Sequence, residues 1–241
     1  MSATAPEFPE NLPVEDTSSD LVGMFNIYIE PKAVAPHIFH KWFWVWPFLV
    51  TAIVGLTVAL LMMPITQHVI EITPAPPNVD AAQYQKSIGI GLMIQKIASY
   101  CAPLFVLIGY CVTAALLMLG CAMLDIKAKF LQLFNVAAAG SLISMLAYVA
   151  TLIIIKAKGE ISTQAELRPP LGLDIFMGES ANKYLKAFLS YFNIFELWWI
   201  VAITIVIAAA FRVKKGKAFT ALVPIIFLSV LFRLVGAAFQ R

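Results

Sequence analysis

The chain has 241 residues, of which 61% are hydrophobic and only 13% are charged, and its formal net charge is +3. This composition excludes an ordinary soluble globular domain, and so small and scattered a charge does not indicate nucleic acid as a partner. Several stretches exceed about 18 residues without a charged side chain and β-barrel alternation is absent, so the sequence predicts an all-α, polytopic membrane protein with membrane lipids as partners.

The first predicted element is an acidic tail over residues 1–20. Its carboxylates are Glu7, Glu10, Glu15, Asp16 and Asp20, and the first 25 residues contain no Lys or Arg. The basic and apolar parts of a signal peptide are therefore missing, and an apolar-poor composition of this kind cannot bury enough surface to fold alone. We expect a disordered cytoplasmic tail that is not cleaved.

Residues 21–241 form the predicted membrane domain, which has five transmembrane helices. They cover about Trp46–Gln67, Ala98–Leu124, Leu131–Ile155, Phe192–Phe211 and Ala218–Phe239. Short interfacial helices are expected at Leu21–Tyr28, Ser87–Ala98 and Leu185–Phe192. Small residues from Ala137 to Ser141 predict close helix contact in the third span, and Pro224 is expected to kink the fifth.

Two basic turns, one between spans two and three and one between spans four and five, predict the orientation of the chain. Their cations are Lys127, Lys129, Arg212, Lys214, Lys215 and Lys217. Lys and Arg near the ends of spans are retained on the cytoplasmic side of a membrane. We therefore expect the N-terminus to be cytoplasmic and the C-terminus to lie outside.

One carboxylate, Glu196, lies in a run otherwise fit for the middle of a bilayer. Only 15 uncharged residues follow it up to Phe211, and they cover about 22 Å, so the span reaches full length only if it includes Glu196. Glu196 and Arg233 are equidistant from the turn between spans four and five, and we expect them to form an interhelical ion pair. Two alternatives stay open: Arg233 reaches the outer headgroups while Glu196 faces water, or either residue serves a substrate or proton site.

The remaining candidate residues give weaker indications of a functional site. His37 and His40 share a helical face and could be two metal ligands, but no third ligand is apparent nearby, so we interpret them as histidines at the membrane interface. We interpret the three cysteines as packing residues, and they are Cys101, Cys111 and Cys121. The sequence thus predicts no catalytic residue, no cofactor and no metal.

Three stretches, spread over most of the chain, carry a family resemblance. PKAVAPHIFHKWFWVWPFL (residues 31–49) leads from prolines and aromatics into the first span, and KAKFLQLFNVAAAGSLISML (127–146) joins a basic turn to small residues. LDIFMGES (173–180), LSYFNIFELWWIVAITIVI (189–207) and the basic turn RVKKGKAF (212–219) complete the pattern. Together they resemble the Yip-domain family of Ypt-interacting proteins, which implies five spans and a cytoplasmic N-terminus.

The resemblance is to the bacterial-type branch of this family. The DLYGP and GY signatures of its eukaryotic trafficking members are absent apart from an isolated Gly109–Tyr110, so Rab-linked traffic is not implied and no catalytic residue is carried over. We expect a non-enzymatic protein of a bacterial inner membrane that organises the bilayer or partner membrane proteins, bound to a protein partner or a second copy of itself. The alternative is a transporter, channel or lipid-translocating subunit in which Glu196, Arg233 and Pro224 line a path.

Overall fold

A computed structural model describes residues 19–73, 80–163, 166–167, 169, 171–178 and 182–239. Every regular element in these ranges is a helix, accompanied by one isolated antiparallel bridge between Gly172 and Asn193, so the all-α prediction is confirmed. The α-helices are α1 (Asp20–Gly23), α2 (Val45–Ile72), α3 (Ala81–Tyr100), α4 (Ala102–Met123), α5 (Phe130–Lys158), α6 (Lys183–Leu189), α7 (Ile194–Ala210), α8 (Lys215–Ala221) and α9 (Val223–Ala238). The 3₁₀ helices are Met24–Tyr28, Pro31–Val34, His37–Phe39 and Leu173–Phe176.

Three of these helices, α2, α4 and α5, are long and apolar enough to cross a membrane. A fourth crossing is reached only if α7 and α8 are taken together across a bend of 118°, and α9 is apolar but shorter. The prediction of a polytopic, helical membrane protein is thus confirmed in its coarse form, whereas the number of five spans is not. The reason lies in length, since α7 and α9 have only 17 and 16 residues.

The fifth predicted span, Ala218–Phe239, is divided into two helices at Leu222, which ends α8 and precedes α9. Pro224 lies in the first turn of α9. The N–H groups of the first turn have no carbonyl partner within their own helix. A proline at this position, which lacks an N–H, therefore costs no hydrogen bond. Pro224 therefore begins a helix, where the sequence indicated a kink within one.

Helix α5 forms the centre of the bundle. In the most apolar 18-residue stretch of α5, 39% is buried inside the protein, compared with 28% in α4 and 11% in α2. Its small residues at 137–140 are all buried, and a Cβ added to Gly140 would lie 2.5 Å from Nε1 of Trp199 on α7. The absence of side chains at this point lets α5 and α7 approach closely, as the small-residue run indicates.

Helix α3 extends along α2 and runs into α4. Cys101 caps the C-terminus of α3 and the N-terminus of α4, with Pro103 in the first turn of the second helix. Helix α3 contacts both α2 and α4, although none of its described side chains is buried. The segment Ser87–Ala98, expected to be a separate interfacial helix, is therefore part of a 20-residue helix beside the bundle.

The N-terminal segment, residues 19–44, is folded onto the bundle in short turns. Met24, Ile27 and Ile38 are buried in one cluster with residues of α5 and α7, and the Tyr28 hydroxyl donates a hydrogen bond to the Leu142 carbonyl at 2.9 Å. The interfacial helix expected at Leu21–Tyr28 is thus replaced by α1 and a 3₁₀ helix whose Met24 and Ile27 side chains face the bundle core. Asp20, the last residue of the expected tail, begins α1, while residues 1–18 lie outside the described part of the chain.

Candidate functional site

The two basic turns and many exposed aromatic rings lie at one end of the bundle. Ile126 and Val213, beside the two basic turns, pack in the same cluster as Val34, and the rings of Phe39 and Phe211 lie 6.3 Å apart. The exposed cations of this basic-aromatic end are Lys32, Lys41, Lys127, Lys129, Arg212, Lys214, Lys215 and Lys217. Its exposed apolar side chains are Phe25, Ile29, Phe39, Trp42 and Trp46. Amphipathic rings beside cations are typical of a surface at lipid headgroup level.

At this end, two histidines converge on one carboxylate. Nδ1 of His37 and Nδ1 of His40 lie 2.8 and 2.6 Å from the same oxygen, Oδ1 of Asp20. The side chain of His37 is fully buried, whereas those of Asp20 and His40 are 22% and 42% exposed. One ligand atom from each residue lies within 4.8 Å of the other two. The group therefore combines a fixed interior ring with an opening to the outside.

The ring of His37 is closely packed by its neighbours. Phe43 stacks on it with centroids 5.8 Å apart, and a Cβ added to Gly23 would lie 2.2 Å from its Nε2, so only glycine fits at that position of α1. Asn135 of α5 donates hydrogen bonds to the carbonyls of Ile38 and His40, both at 2.8 Å. These two hydrogen bonds hold the main chain around His40 against α5 and leave its side chain able to rotate.

Glu196 and Arg233 are brought together by α7 and α9. Arg233 Nη2 donates to Glu196 Oε1 at 3.3 Å, and Nη1 donates to the carbonyl and the hydroxyl of Ser190 at 3.3 and 3.1 Å. The guanidinium also lies 5.6 Å from the ring centre of Tyr191. Both charged side chains are 35% exposed. Each charge thus has a partner of opposite sign at the partly open entry to α7.

Glu196 lies in the first turn of α7, so its environment differs from the middle of a span. Asn193 caps this helix, and its side-chain oxygen accepts hydrogen bonds from the amides of Phe195 and Glu196 at 3.0 and 2.9 Å. A carboxylate in the first turn is stabilised by the free amides and by the helix dipole. The charge is therefore compensated by its own helix as well as by Arg233.

A third polar group joins the three long helices. The Tyr110 hydroxyl of α4 lies 2.8 Å from Thr51 Oγ1 of α2 and 2.7 Å from Ser141 Oγ of α5. The two smaller hydroxyls also lie within hydrogen-bond distance of carbonyls of their own helices, those of Pro47 and Ala138, so the three hydroxyl protons are shared among these four contacts. This network joins the three helices and has a structural role.

Sequence reasoning paired the two histidines but missed Asp20, which is the residue that joins them. It lies 17 positions before His37 and was counted with the acidic tail. The signal that could have found it is local: Ser19 caps the helix that Asp20 begins, and α1 carries a glycine three residues later. A cap followed by a glycine indicates an ordered turn, not the end of a tail.

Comparison with protein-family models, with curated proteins and with solved structures finds no match for this chain. The resemblance to the Yip-domain family therefore stays a hypothesis. The functional argument is carried by the helix lengths, the basic-aromatic end and the polar clusters.

Proposed function

We propose that this chain is a non-enzymatic, multi-pass membrane protein of the Yip type, of the bacterial-type branch, that organises the bilayer around it. The observation that carries the proposal is a difference in length between its apolar helices. Residues 45–70 of α2 and 130–155 of α5 contain no charged side chain and each cover about 39 Å. The whole of α7 covers about 26 Å and the whole of α9 about 24 Å.

Such a difference requires the surrounding lipid to adapt. A hydrocarbon core is about 30 Å thick, so the long helices must tilt or protrude, while the bilayer must become thinner beside the α7–α9 side. A protein with unequal apolar lengths on its two sides imposes a thickness gradient on the lipid. In this way five crossings and a bilayer-organising role are compatible with two short spans.

The basic-aromatic end supports the same proposal. Exposed cations attract anionic lipid headgroups, each contributing about 1 kcal/mol near the membrane surface, and exposed rings such as Trp42 stay at headgroup level. We place this end on the cytoplasmic side of a bacterial inner membrane, with the N-terminus cytoplasmic and the C-terminus outside. Because Arg233 and Glu196 already bond each other, we favour this role over a transport path through them.

The orientation is tested with single cysteines at Lys215 and Ser162, in a chain whose native cysteines are replaced. An impermeant thiol reagent should label the two positions from opposite sides of the membrane. Labelling of both positions from outside intact cells would refute the five-crossing arrangement.

The bilayer role is tested by reconstitution of the purified chain into vesicles of phosphatidylcholine with and without phosphatidylglycerol. Electron cryomicroscopy should show local thinning and higher curvature that increase with the protein-to-lipid ratio. Replacing Lys214, Lys215 and Lys217 with Gln should weaken the effect on anionic vesicles only. Unchanged bilayers, together with a solute or lipid flux that Glu196→Gln abolishes, would favour the transporter instead.

A further inference from the structure

We infer that Asp20, His37 and His40 form a binding site for a divalent transition metal ion of the zinc class. The three residues come from α1 and from the turns before α2, and they bring one carboxylate oxygen and two ring nitrogens within 4.8 Å of one another. Neither the proposed bilayer role nor the resemblance to the Yip-domain family requires such a site. It revises the sequence-based expectation of no metal.

The ligand set selects the class of metal. Two imidazoles and one carboxylate suit Zn²⁺, Co²⁺, Ni²⁺ or Fe²⁺, whereas Ca²⁺ and Mg²⁺ prefer oxygen ligands throughout. Three protein ligands leave a fourth position of a tetrahedron for water. The 42% exposure of His40 and the 22% exposure of Asp20 give that position access from outside the protein.

The geometry of the group needs only a small adjustment to hold such an ion. Without a metal, Nδ1 of His37 and Nδ1 of His40 lie 2.8 and 2.6 Å from Asp20 Oδ1, and a hydrogen bond to an ionised carboxylate requires the imidazole proton on Nδ1. Around a tetrahedral zinc ion with bonds of about 2.0 Å, ligand atoms stand about 3.3 Å apart. The ligand atoms must therefore separate by about 0.5 to 0.7 Å, and each imidazole must carry its proton on Nε2 instead of Nδ1 so that Nδ1 can bind the ion.

The surroundings assign this movement to particular residues. His37 is fixed by Phe43 and by the glycine of α1, so it forms the rigid side of the site. The side chain of His40 is partly exposed and Asp20 begins the four-residue helix α1, so both can adjust. Asn135 holds the main chain on both sides of His40 during this adjustment. One ligand is therefore held in place, and the main chain that carries the second is anchored to α5, which limits the movement needed to bind an ion.

Metal binding would connect α1 to the turns at residues 37–40 through three coordinate bonds. Because these turns pack on α5 and α7, the ion would stabilise the attachment of the whole N-terminal segment to the bundle. Binding free energy at such a site becomes stability of the folded segment.

The test uses the full chain, purified in detergent with an affinity tag that contains no histidine and freed of metal with a chelator. Co²⁺ is titrated while visible absorption is recorded, and Zn²⁺ is then added in competition. We expect one Co²⁺ per chain, with absorption bands that Zn²⁺ removes. A chelator should also lower the thermal midpoint of the metal-loaded protein.

The decisive variants are His40→Gln and Asp20→Asn, because both residues are partly exposed and their replacement leaves the buried His37 in place. Each should weaken Co²⁺ binding by more than about 100-fold, since even the loss of a second-shell partner costs 10 to 100-fold. The matched control is His68→Gln, at an exposed histidine on α2, which should bind as the wild type does. Size-exclusion profiles report whether each variant is folded.

Two results would overturn the inference. One is a wild-type chain that retains no Co²⁺ or Zn²⁺ after desalting and whose thermal midpoint is unaffected by the chelator, which would make the group a hydrogen-bonded cluster only. The other is Co²⁺ binding by folded His40→Gln and Asp20→Asn that is as tight as that of the wild type, whatever the behaviour of His68→Gln. Neither result bears on the bilayer measurements, so the inference and the proposed function can fail separately.

Discussion

The two halves of α5 are packed in different ways. From Leu133 to Ile143 almost every residue is buried, whereas beyond Ile143 only Leu152 and Ile155 are. The first half belongs to a large cluster that includes the N-terminal segment, α7 and α8; the second belongs to a small cluster with Val69 and Ile161. Tight packing thus lies at the basic-aromatic end, and the far end leaves its apolar helix faces to lipid. The following predictions test this contrast.

The largest effect is expected at the contact between α4 and α8 in the packed half. A Cβ added to Gly120 would lie 1.9 Å from the Ala221 carbonyl oxygen, a backbone atom that cannot rotate away. Gly120→Ala should lower the unfolding free energy by about 3 kcal/mol, measured by denaturing-detergent titration in mild micelles. The control is Gly109→Ala on the same helix, where a Cβ meets no atom within 4 Å and stability should stay the same or rise. Equal effects at the two glycines would contradict the contrast.

A smaller loss is expected from Asn135→Leu, in the packed half of α5. The carbonyls of Ile38 and His40 lose their amide donor, which should cost about 1 to 2 kcal/mol in the same assay. Thr151→Val serves as the control in the loose half, because within the described residues the Thr151 hydroxyl donates only to the Ala147 carbonyl of its own helix. We expect the control to cost a few tenths of a kcal/mol at most. The argument fails if Thr151→Val is the more damaging change.

We expect a coupling free energy of about 1 kcal/mol between Glu196 and Arg233. Each side chain is 35% exposed, and solvent makes their attraction weaker than that of a fully buried pair. Glu196→Gln, Arg233→Gln and the double mutant form a cycle in which the double mutant should lose less than the sum of the single losses. Exchanging the two charges should restore part of the stability.

The surface pair Lys158 and Glu166, at the loose end, provides the reference cycle. Its coupling in global unfolding should be close to zero, because the pair holds a loop that can open while the helices stay packed. Strict additivity for Glu196 and Arg233 would show that the observed contact contributes nothing. A greater coupling at Lys158 and Glu166 would reverse the comparison between the two ends.

The smallest effect concerns pH at the loose end. Lys158 first, and then the amides of Ser162 and Thr163, lower the pKa of Glu166 from 4.5 to about 2. A depressed carboxyl pKa stabilises the folded loop above about pH 4.5, and this contribution is lost as the pH falls through 2.

Amide exchange at Ser162 and Thr163, corrected for intrinsic rates, should therefore lose protection between pH 4.5 and 2. Glu166→Gln should remove that pH dependence while global stability stays unchanged. Protection that does not vary with pH in the wild type would contradict the assignment.

The contrast also explains which features could be predicted from the sequence. The long helices follow from apolar length alone, and the meeting of Glu196 and Arg233 follows from their equal distance to one turn. The start of α7 was also readable, because an Asn three residues before a Glu is a helix-start signal. This signal predicts that Glu196 lies in the first turn of a helix.

The docking of the N-terminal segment could not be predicted in the same way. Its turns contain Pro31 and Pro36, which break helical periodicity, and its burial depends on contacts with α5 and α7 far along the chain. Local patterns report local structure, whereas the meeting of Asp20 with His37 is set by that tertiary contact. The helix break at Leu222 was missed for a similar reason, since Pro224 is compatible with a kink or with a first turn.

The docking of the N-terminal segment has a consequence for biosynthesis. Ile38 and its partner Asn135 are 97 residues apart, and Tyr28 and Leu142 are 114 residues apart. At about 5 to 20 residues per second, the ribosome needs about 5 to 20 seconds to supply those partners, and longer to reach α7. During that interval the apolar side chains of the segment have no binding surface and are accessible to chaperones and proteases. The segment is thus made before the helices that it packs on but is placed after them, and its seating reports that those helices have been inserted.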